Sequence, residues 1–379
     1  MKHIFVTGIT GVLGSALGPV LLQSPQHVLH VLIRAEDHEH AQMRLQDLWS
    51  FWGDEVSESM RSRIHVYCGD AARPQFGLDA ETYHSLLSTI THIIHSAASV
   101  KLDMDESEAL EKVYKPSKTV LDFAMQIHES GRLQKLEYIS TLGVAGKMSG
   151  SIPETVLPAR DFHNNYERTK ARSEVEALEL YKQKKLPVTI HRPSMIIGHS
   201  KTGKIVHFQG FYFLCSLFTG YRTKGLLPKL PQLSFDLIPC DYVAQAVYLS
   251  LESGNETAGH IFHLCSGPDL SLPYHDLVKY LRFYHTHYAE KLPHTILVPP
   301  SLFLCSIRMM ALFSWKPKFK RAAKNIALYF NHIKTIQMFE NTQTIAFLET
   351  RGLALDHPEN YLRAVLDYHR FKVRNDMPN

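Results

Sequence analysis

The chain of 379 residues has only five cysteines, Cys68, Cys215, Cys240, Cys265 and Cys305, and no CxxC pair among them. An odd number of widely spaced thiols argues against a disulfide framework and for reduced cysteines in a cytoplasmic protein. Histidines number 23 but are scattered. None stands beside cysteines or carboxylates at zinc-site spacing, so no metal is expected and most are read as surface residues. The formal net charge is only +4. That is too small to indicate nucleic acid, though it suits an anionic substrate or cofactor. There is no internal repeat and no low-complexity tract. A signal-peptide pattern is also missing: Ile4-Phe5-Val6 already reads as a strand, so fold is expected from residue 3 onward.

What is present is a core-forming composition, 45% hydrophobic and 21% charged, enough for one large domain or a domain with a subdomain. Short apolar runs fall at 3–7, 28–33, 64–68, 90–95, 136–140 and 188–192, and helical patterns at 12–23, 38–51, 105–129 and 166–184. Strands alternating with helices predict an α/β fold with a doubly wound parallel sheet of the Rossmann type. After residue 198 the rhythm changes. Residues 199–235 are rich in glycine, aromatic and basic residues, 236–252 return to a strand and a helix, 259–265 read as one more strand, and 271–379 are helix-like with proline breaks. The expected division is a cofactor-binding domain over 1–265, with 199–235 as a substrate-side insertion, and a smaller, mainly helical substrate or lid region over 266–379.

The first strand ends in Thr7-Gly8-Ile9-Thr10-Gly11-Val12-Leu13-Gly14. This is GxxGxxG rather than GxGxxG, and the physical need is the same: a tight turn, and backbone N–H groups close to a pyrophosphate at a helix N-terminus. The residue that meets the adenine ribose is expected about 20 residues further on, which is Arg34. An acidic residue there would bond the 2′-hydroxyl, whereas arginine offers a fork to a 2′-phosphate. The cofactor expected is therefore NADP(H). Arg44 is either a second phosphate contact or an exposed helix charge. Cys68-Gly69-Asp70 closes the third strand, where the aspartate can accept from the adenine amino group or cap a turn. Ser96-Ala97-Ala98 closes the fourth with small residues that would let a cofactor lie against the backbone.

Tyr166 and Lys170 form YxxxK, one face of a helix at i and i+4. A nearby ammonium stabilises phenolate and lowers the phenol's pKa, which would fit Tyr166 for general acid catalysis, with Lys170 free to hold the nicotinamide ribose as well. Ser140-Thr141 lies upstream at the end of the fifth strand, where a hydroxyl can bond a substrate carbonyl.

TGITGVLG, VLIRA, Gly69-Asp70, IIHSAASV, YISTLGVAG, NNYERTK and HRPSMIIG together resemble the extended short-chain dehydrogenase/reductases. More narrowly they resemble the thioester-reductase and fatty-acyl-CoA-reductase, or male sterility, branch. The resemblance covers about 3–265 and is loose beyond. It implies that Thr10, Gly11, Val12 and Leu13, with Gly8 and Gly14 shaping the turn, cradle the pyrophosphate. Arg34 and Arg44 would bind the 2′-phosphate, Asp70 and Ala71 the adenine, and Ser96, Ala97 and Ala98 would line the cleft. Ser140, Tyr166 and Lys170 would contact the nicotinamide half, with Pro193 behind it. Thr141, Tyr166 and Lys170 would be the catalytic set. The implied reaction is NADPH reduction of an acyl thioester, on CoA or an acyl carrier protein, to an aldehyde or on to an alcohol. A ketone or sterol-type reductase has the same catalytic residues. A sugar-nucleotide epimerase or dehydratase shares the scaffold, but Arg34 weighs against an epimerase. A non-catalytic NADPH sensor would have no need of Tyr166 and Lys170. One departure stands out: the helix that usually carries an NxxGT stretch reads Lys112-Val113-Tyr114-Lys115-Pro116-Ser117-Lys118-Thr119, with no asparagine and an interrupting proline.

On the substrate side, 204–218 is aromatic and apolar, and 296–315 is apolar around Arg308 and precedes Lys316, Lys318, Lys320, Arg321 and Lys324. Three readings stay open for 296–324: a peripheral contact with an anionic membrane, a cover over an acyl chain with the basic residues on a CoA or pantetheine phosphate, or a buried lid with a solvated basic end. A membrane span is not expected, because Pro299 and Pro300 break the run and Arg308 is costly at a bilayer centre.

Overall fold

The computed structural model describes all residues except 222, 290, 314–325, 327–329, 331–335 and 376–379. The first part of the chain alternates as expected. Strands β1 (Lys2–Thr7), β2 (His27–Ile33), β3 (Ile64–Cys68), β4 (His92–His95), β5 (Lys135–Ile139), β6 (Val188–Pro193) and β7 (Ile261–Leu264) form one seven-stranded sheet in the order β7-β6-β5-β4-β1-β2-β3. Every pairing in it is parallel. The central strands are buried on both faces, which is why they read as continuous apolar runs rather than alternating ones. The order reverses between β1 and β4, and open α/β sheets bind ligands at such a switch point, beyond the strand carboxyl ends.

Helices cover both faces: α1 (Val12–Leu22), α2 (His38–Trp52), α3 (Ala80–Thr89), α4 (Lys115–Glu129), α5 (Asn165–Lys184) and α6 (Cys240–Glu252). On one face Leu17 and Leu21 of α1 pack with Leu45 and Leu48 of α2 and Val243 and Val247 of α6. Trp52 closes this layer. Its indole lies on Gly18, where an added Cβ would come within 2.3 Å of the ring, and its Nε1 donates to Ser15 O at 2.6 Å. On the other face Phe5, Phe76, Phe123 and Tyr83 form an aromatic cluster under α3 and α4.

A second core joins 197–237 to the C-terminal third: Phe211, Tyr212 and Phe218 of the helix Gly210–Phe218 pack with Leu277, Leu281, Phe303, Ile307, Leu362 and Val365. The helix Pro300–Phe313 buries Phe303 and Ile307 and leaves Leu302, Met309 and Leu312 exposed. Residues 337–349 then return to the Rossmann sheet. The strand Gln337–Phe339 pairs in parallel with Gly150–Ile152, and Phe347 stacks on Phe262 of β7 at 4.9 Å. Among the described residues no helix is long and apolar enough to cross a membrane. The basic residues Lys316, Lys318, Lys320, Arg321 and Lys324 lie outside the described residues.

One local feature differs from the sequence reading. The helical pattern over 105–129 is not one α-helix: Glu106–Ala109 leads into a π turn, Leu110–Tyr114, before α4 begins. Pro116 falls in the first turn of α4, where a missing N–H costs nothing, so the proline starts a helix instead of interrupting one. Most of the described histidines are half-buried or exposed, in line with the sequence reading, but His27, His30, His92, His95, His191 and His263 are buried in sheet strands. Burial keeps His30 neutral by pushing its pKa down to about 4, and His92, His95 and His263 down to about 3.

Candidate active site

The glycine loop sits at the switch point, and steric crowding explains its composition. Gly8 has φ +82°, and a Cβ there would stand 2.7 Å from Ala97 N and 2.8 Å from Ser96. The end of β1 can therefore press against the end of β4 only if residue 8 lacks a side chain. Gly14 is tighter still, with a Cβ placed 2.0 Å from Gly8 O. Gly11 N donates to Gly8 O at 2.9 Å to close the turn. Gly11 is also the N-cap of α1, with no side-chain cap and no acidic residue in the first turn. That end presents backbone N–H groups and a positive dipole to an anion. Leu13 anchors the loop in the first core, while Val12 packs against the second.

Beside the loop, Arg44 reaches from α2 to Thr10 Oγ1 at 3.0 Å and also donates to the carbonyl of Arg34. Thr10, Arg34 and Arg44 are thus gathered in one place, with Arg34 exposed at the end of β2. The basic residues and the bare glycine turn suit an anionic nicotinamide dinucleotide. Asp70 Oδ1 accepts from Ala72 N at 2.9 Å, and Ala71 is buried in the second face of the sheet. Ser96 Oγ donates to Thr7 O at 3.0 Å. Ala98 packs with Tyr166, Met104, Ala109 and Val113, so the end of β4 and the π turn meet the tyrosine directly. Pro193 closes β6 opposite Leu264 of β7.

The catalytic candidates come together at the ends of β5 and the start of α5. Thr141 is extended and N-caps the turn Leu142–Ala145, its Oγ1 accepting from Gly143 N at 3.2 Å. Its hydroxyl also hydrogen-bonds Tyr166. Asn164 caps α5 by accepting from Glu167 N at 3.0 Å, which fixes the helix start and with it Tyr166. Burial pushes the Tyr166 phenol up to about 12, with Thr141 pulling the other way. This departs from the lowered phenol that YxxxK suggests, because the cost of burying a phenolate outweighs the rest. The Lys170 ammonium is bonded to Ile139 O at 2.6 Å and lies 3.5 Å from Tyr138 Oη, so its hydrogen bonds go to β5. Burial lowers Lys170 to about 8, against an upward pull from Glu174.

Ser140 is placed differently from its neighbour. Its Oγ donates to Glu174 Oε2 at 2.6 Å, and it is only 4% exposed. Glu174 in turn holds Arg192 of β6 in a fork, Nη2 to Oε1 at 2.5 Å and Nε to Oε2 at 3.1 Å. The structure therefore brings Thr141, Tyr166 and Lys170 together and turns the Ser140 hydroxyl inward to this ion pair. Sequence reasoning missed Glu174, although the spacing Tyr166, Lys170, Glu174 repeats every four residues along one helix face. Among the described residues no cluster could hold a metal.

The male sterility protein family matches residues 6–247, more than half of the chain. The non-canonical nonribosomal peptide synthetase cpsA of Aspergillus campestris is 28% identical over 256 residues, 65% of this chain and 24% of that protein. The isonitrile lipopeptide synthase of Streptomyces coeruleorubidus is 29% identical over 282 residues, 73% of this chain and 18% of that protein. Aldehyde reductase lnaA of Aspergillus flavus is 29% identical over 289 residues, 72% of this chain and 27% of that protein. The chain thus spans about a quarter, or less, of the length of these relatives. Among solved structures, the terminal R domain from the myxalamid PKS-NRPS biosynthetic pathway superposes with a TM-score of 0.82 at 21% identity, covering 100% of this chain and 93% of that one. UDP-glucuronic acid 4-epimerase from Bacillus cereus, in complex with NAD, has the same fold at a TM-score of 0.66 and 16% identity, covering 98% of this chain and 99% of that one.

Proposed function

Since this chain belongs to the male sterility protein family, we propose that it is an NADPH-dependent reductase of a carrier-bound acyl thioester, forming an aldehyde and, in a second round, an alcohol. The observation that carries this reading is the hydrogen-bonded Thr141–Tyr166 pair, next to Lys170, beside an uncapped glycine turn with Arg34 and Arg44 at its edge. The reduced nicotinamide supplies the hydride when bound. Everything else falls to the chain.

Arg34, Arg44 and Thr10 would hold the 2′-phosphate, and the backbone of 10–13 the pyrophosphate. Thr141 and Tyr166 are hydroxyl donors for the carbonyl oxygen, where negative charge develops. With its pKa held near 12, Tyr166 keeps its proton at neutral pH and can give it to the forming alkoxide. Lys170, one turn further along α5, would hold the nicotinamide ribose. Collapse of the resulting thiohemiacetal would expel the carrier thiol. Relatives named as peptide synthetases and as aldehyde reductases support a carrier-bound acyl chain over CoA as the substrate. Val12 packs against the apolar second core, which supports an apolar substrate face adjoining the loop. Five free cysteines suit a reducing compartment such as the cytoplasm.

The test is an NADPH-consumption screen of the purified protein against carrier-bound acyl thioesters, acyl-CoAs, aldehydes and ketones, with product identification. Aldehyde or alcohol from a thioester is the expected result. Turnover of ketones with none of thioesters would replace this reading with that of a ketone reductase.

A further inference from the structure

The stretch 112–119, which lacks the asparagine its resemblance calls for, contributes Ser117 to a buried chain of hydroxyls that ends at Lys170. Ser117 Oγ donates to Val113 O at 3.0 Å. It lies 2.8 Å from Tyr138 Oη and 3.3 Å from His95 Nε2. His95 Nδ1 is 2.8 Å from Thr7 Oγ1. Tyr138 Oη is 3.5 Å from Lys170 Nζ, and the Tyr138 ring centroid is 4.6 Å from the same ammonium. Thr7, His95, Ser117, Tyr138 and Lys170 are each no more than 2% exposed.

Proton counting fixes the direction of this chain. A serine has one hydroxyl proton. Ser117 commits its proton to the Val113 carbonyl, which can only accept, so the Tyr138 hydroxyl must donate to Ser117. His95 must likewise present Nε2–H to Ser117, which leaves Nδ1 to accept from Thr7. Ser173, the other hydroxyl that bonds Tyr138, commits its own proton to Thr169 O at 3.1 Å. Whichever serine Tyr138 uses, its proton points away from Lys170 and its lone pairs point toward it.

We infer that Tyr138 is a positioning residue for Lys170: Ser117 and Ser173 lock its hydroxyl as an acceptor, and hydroxyl and ring together hold the ammonium against the strand end beside Tyr166. This rests on the reductase reading above. The groups facing Lys170 are Glu174 from its own helix α5, Tyr138 from β5 and His95 from β4, with the Ile139 carbonyl as its closest acceptor and Tyr166 one turn back along α5. His95 is neutral near pH 7, so the titration felt at the site above neutrality is that of Lys170 itself.

The experiment compares wild type with Tyr138→Phe, measuring both kcat/KM and NADPH affinity by fluorescence across pH 6–10. At 3.5 Å the bond is a long one, of the ordinary rather than the charge-assisted scale, so Tyr138→Phe should move the alkaline limb of both profiles down by about half to one pH unit. At pH 6, where Lys170 keeps its proton in either protein, the difference should be about two-fold or less. Ser117→Thr, which keeps the hydroxyl, should leave both profiles in place. If Tyr138→Phe does not fold, the double variant Ser117→Ala, Ser173→Ala carries the same comparison and the same expected shift. Profiles that superimpose on wild type, or a loss equal at every pH, overturn the inference. If wild type reduces no thioester, the substrate reading fails, and the NADPH-affinity profile still decides the role of Tyr138.

Discussion

Gly14 approaches Gly8 so closely that a Cβ on residue 14 would stand 2.0 Å from the carbonyl oxygen of residue 8. The contact joins the first turn of α1 to the end of β1, and it is backbone against side chain, so no rotamer change relieves it. Gly14→Ala is expected to lower stability by about 1–3 kcal/mol, the usual scale of overpacking, and to weaken NADPH binding at least ten-fold. Thermal melts and fluorescence titration check both effects. A variant with normal affinity would show that the loop does not hold the cofactor.

Arg34 and Arg44 should separate NADPH from NADH. Loss of a charged fork to the 2′-phosphate is worth about 10–100-fold in KM for NADPH, so Arg34→Ala should raise that KM while leaving KM for NADH nearly unchanged. Arg44→Ala should also loosen Thr10, its partner at 3.0 Å. Equal losses with both cofactors would remove Arg34 from this role.

Tyr166→Phe removes the proton donor but keeps the ring that packs with Met104, Ala109 and Val113. The expected result is a kcat lower by about 10²–10⁴-fold, with NADPH affinity and melting temperature little changed. Single-turnover hydride transfer at normal speed would reassign the acid.

Lys170 predicts a pH dependence of stability with a definite sign. Its folded-state pKa is lowered to about 8 from the ordinary 10.5 by burial, so the unfolded chain binds that proton more tightly. The resulting penalty is fully present below about pH 8 and disappears as the pH rises toward 10.5, so this group's contribution to unfolding free energy increases across that window. Lys170→Met should therefore raise the melting temperature at pH 7 by roughly a few degrees, and by less at pH 10, while abolishing turnover. Denaturation at the two pH values measures this, and a variant less stable than wild type at pH 7 would contradict it.

Glu174 and Arg192 form a bidentate pair at 3% and 1% exposure. Breaking such a pair leaves a buried charge alone and costs about 3–5 kcal/mol. Glu174→Gln should produce a large drop in melting temperature and free the Ser140 hydroxyl. Urea denaturation reads the cost, and a loss below about 1 kcal/mol would mean that Arg192 finds another partner.

The parts legible in the sequence are those written in contiguous residues. GxxGxxG, Arg34 and YxxxK each sit on one turn, one strand end or one helix face, where spacing alone fixes geometry. The alternation of parallel strands with helices follows from the apolar runs and the helical patterns between them, whereas the order of the strands in the sheet does not. Tyr138, Ser117 and His95 were not legible as a set, because three different elements bring them together and each alone looks like an ordinary core residue. The raised phenol of Tyr166 was equally hidden, since spacing reveals a neighbouring lysine but not how deeply both are buried. Pro116 misled in the opposite direction: a proline reads as a break, and only the π turn before it shows that the helix path continues.

Residues 337–349 have a consequence for anyone who wishes to move this chain's fold between proteins. Glu154 accepts from Gln343 N at 2.7 Å and from Thr344, His263 Nδ1 is 2.7 Å from Glu340 O, and Gln337 Nε2 donates to Gly146 O at 2.9 Å. These bonds stitch residues 337–344 to β7 and to the loop that follows Thr141. Cutting near residue 265 would strip the loop after Thr141 of its outer brace and leave Glu154 with His263 N–H, at 3.3 Å, as its remaining donor. A graft must carry the whole length through this clasp, so the portable unit is set by where the chain returns to the sheet and not by where the Rossmann pattern stops.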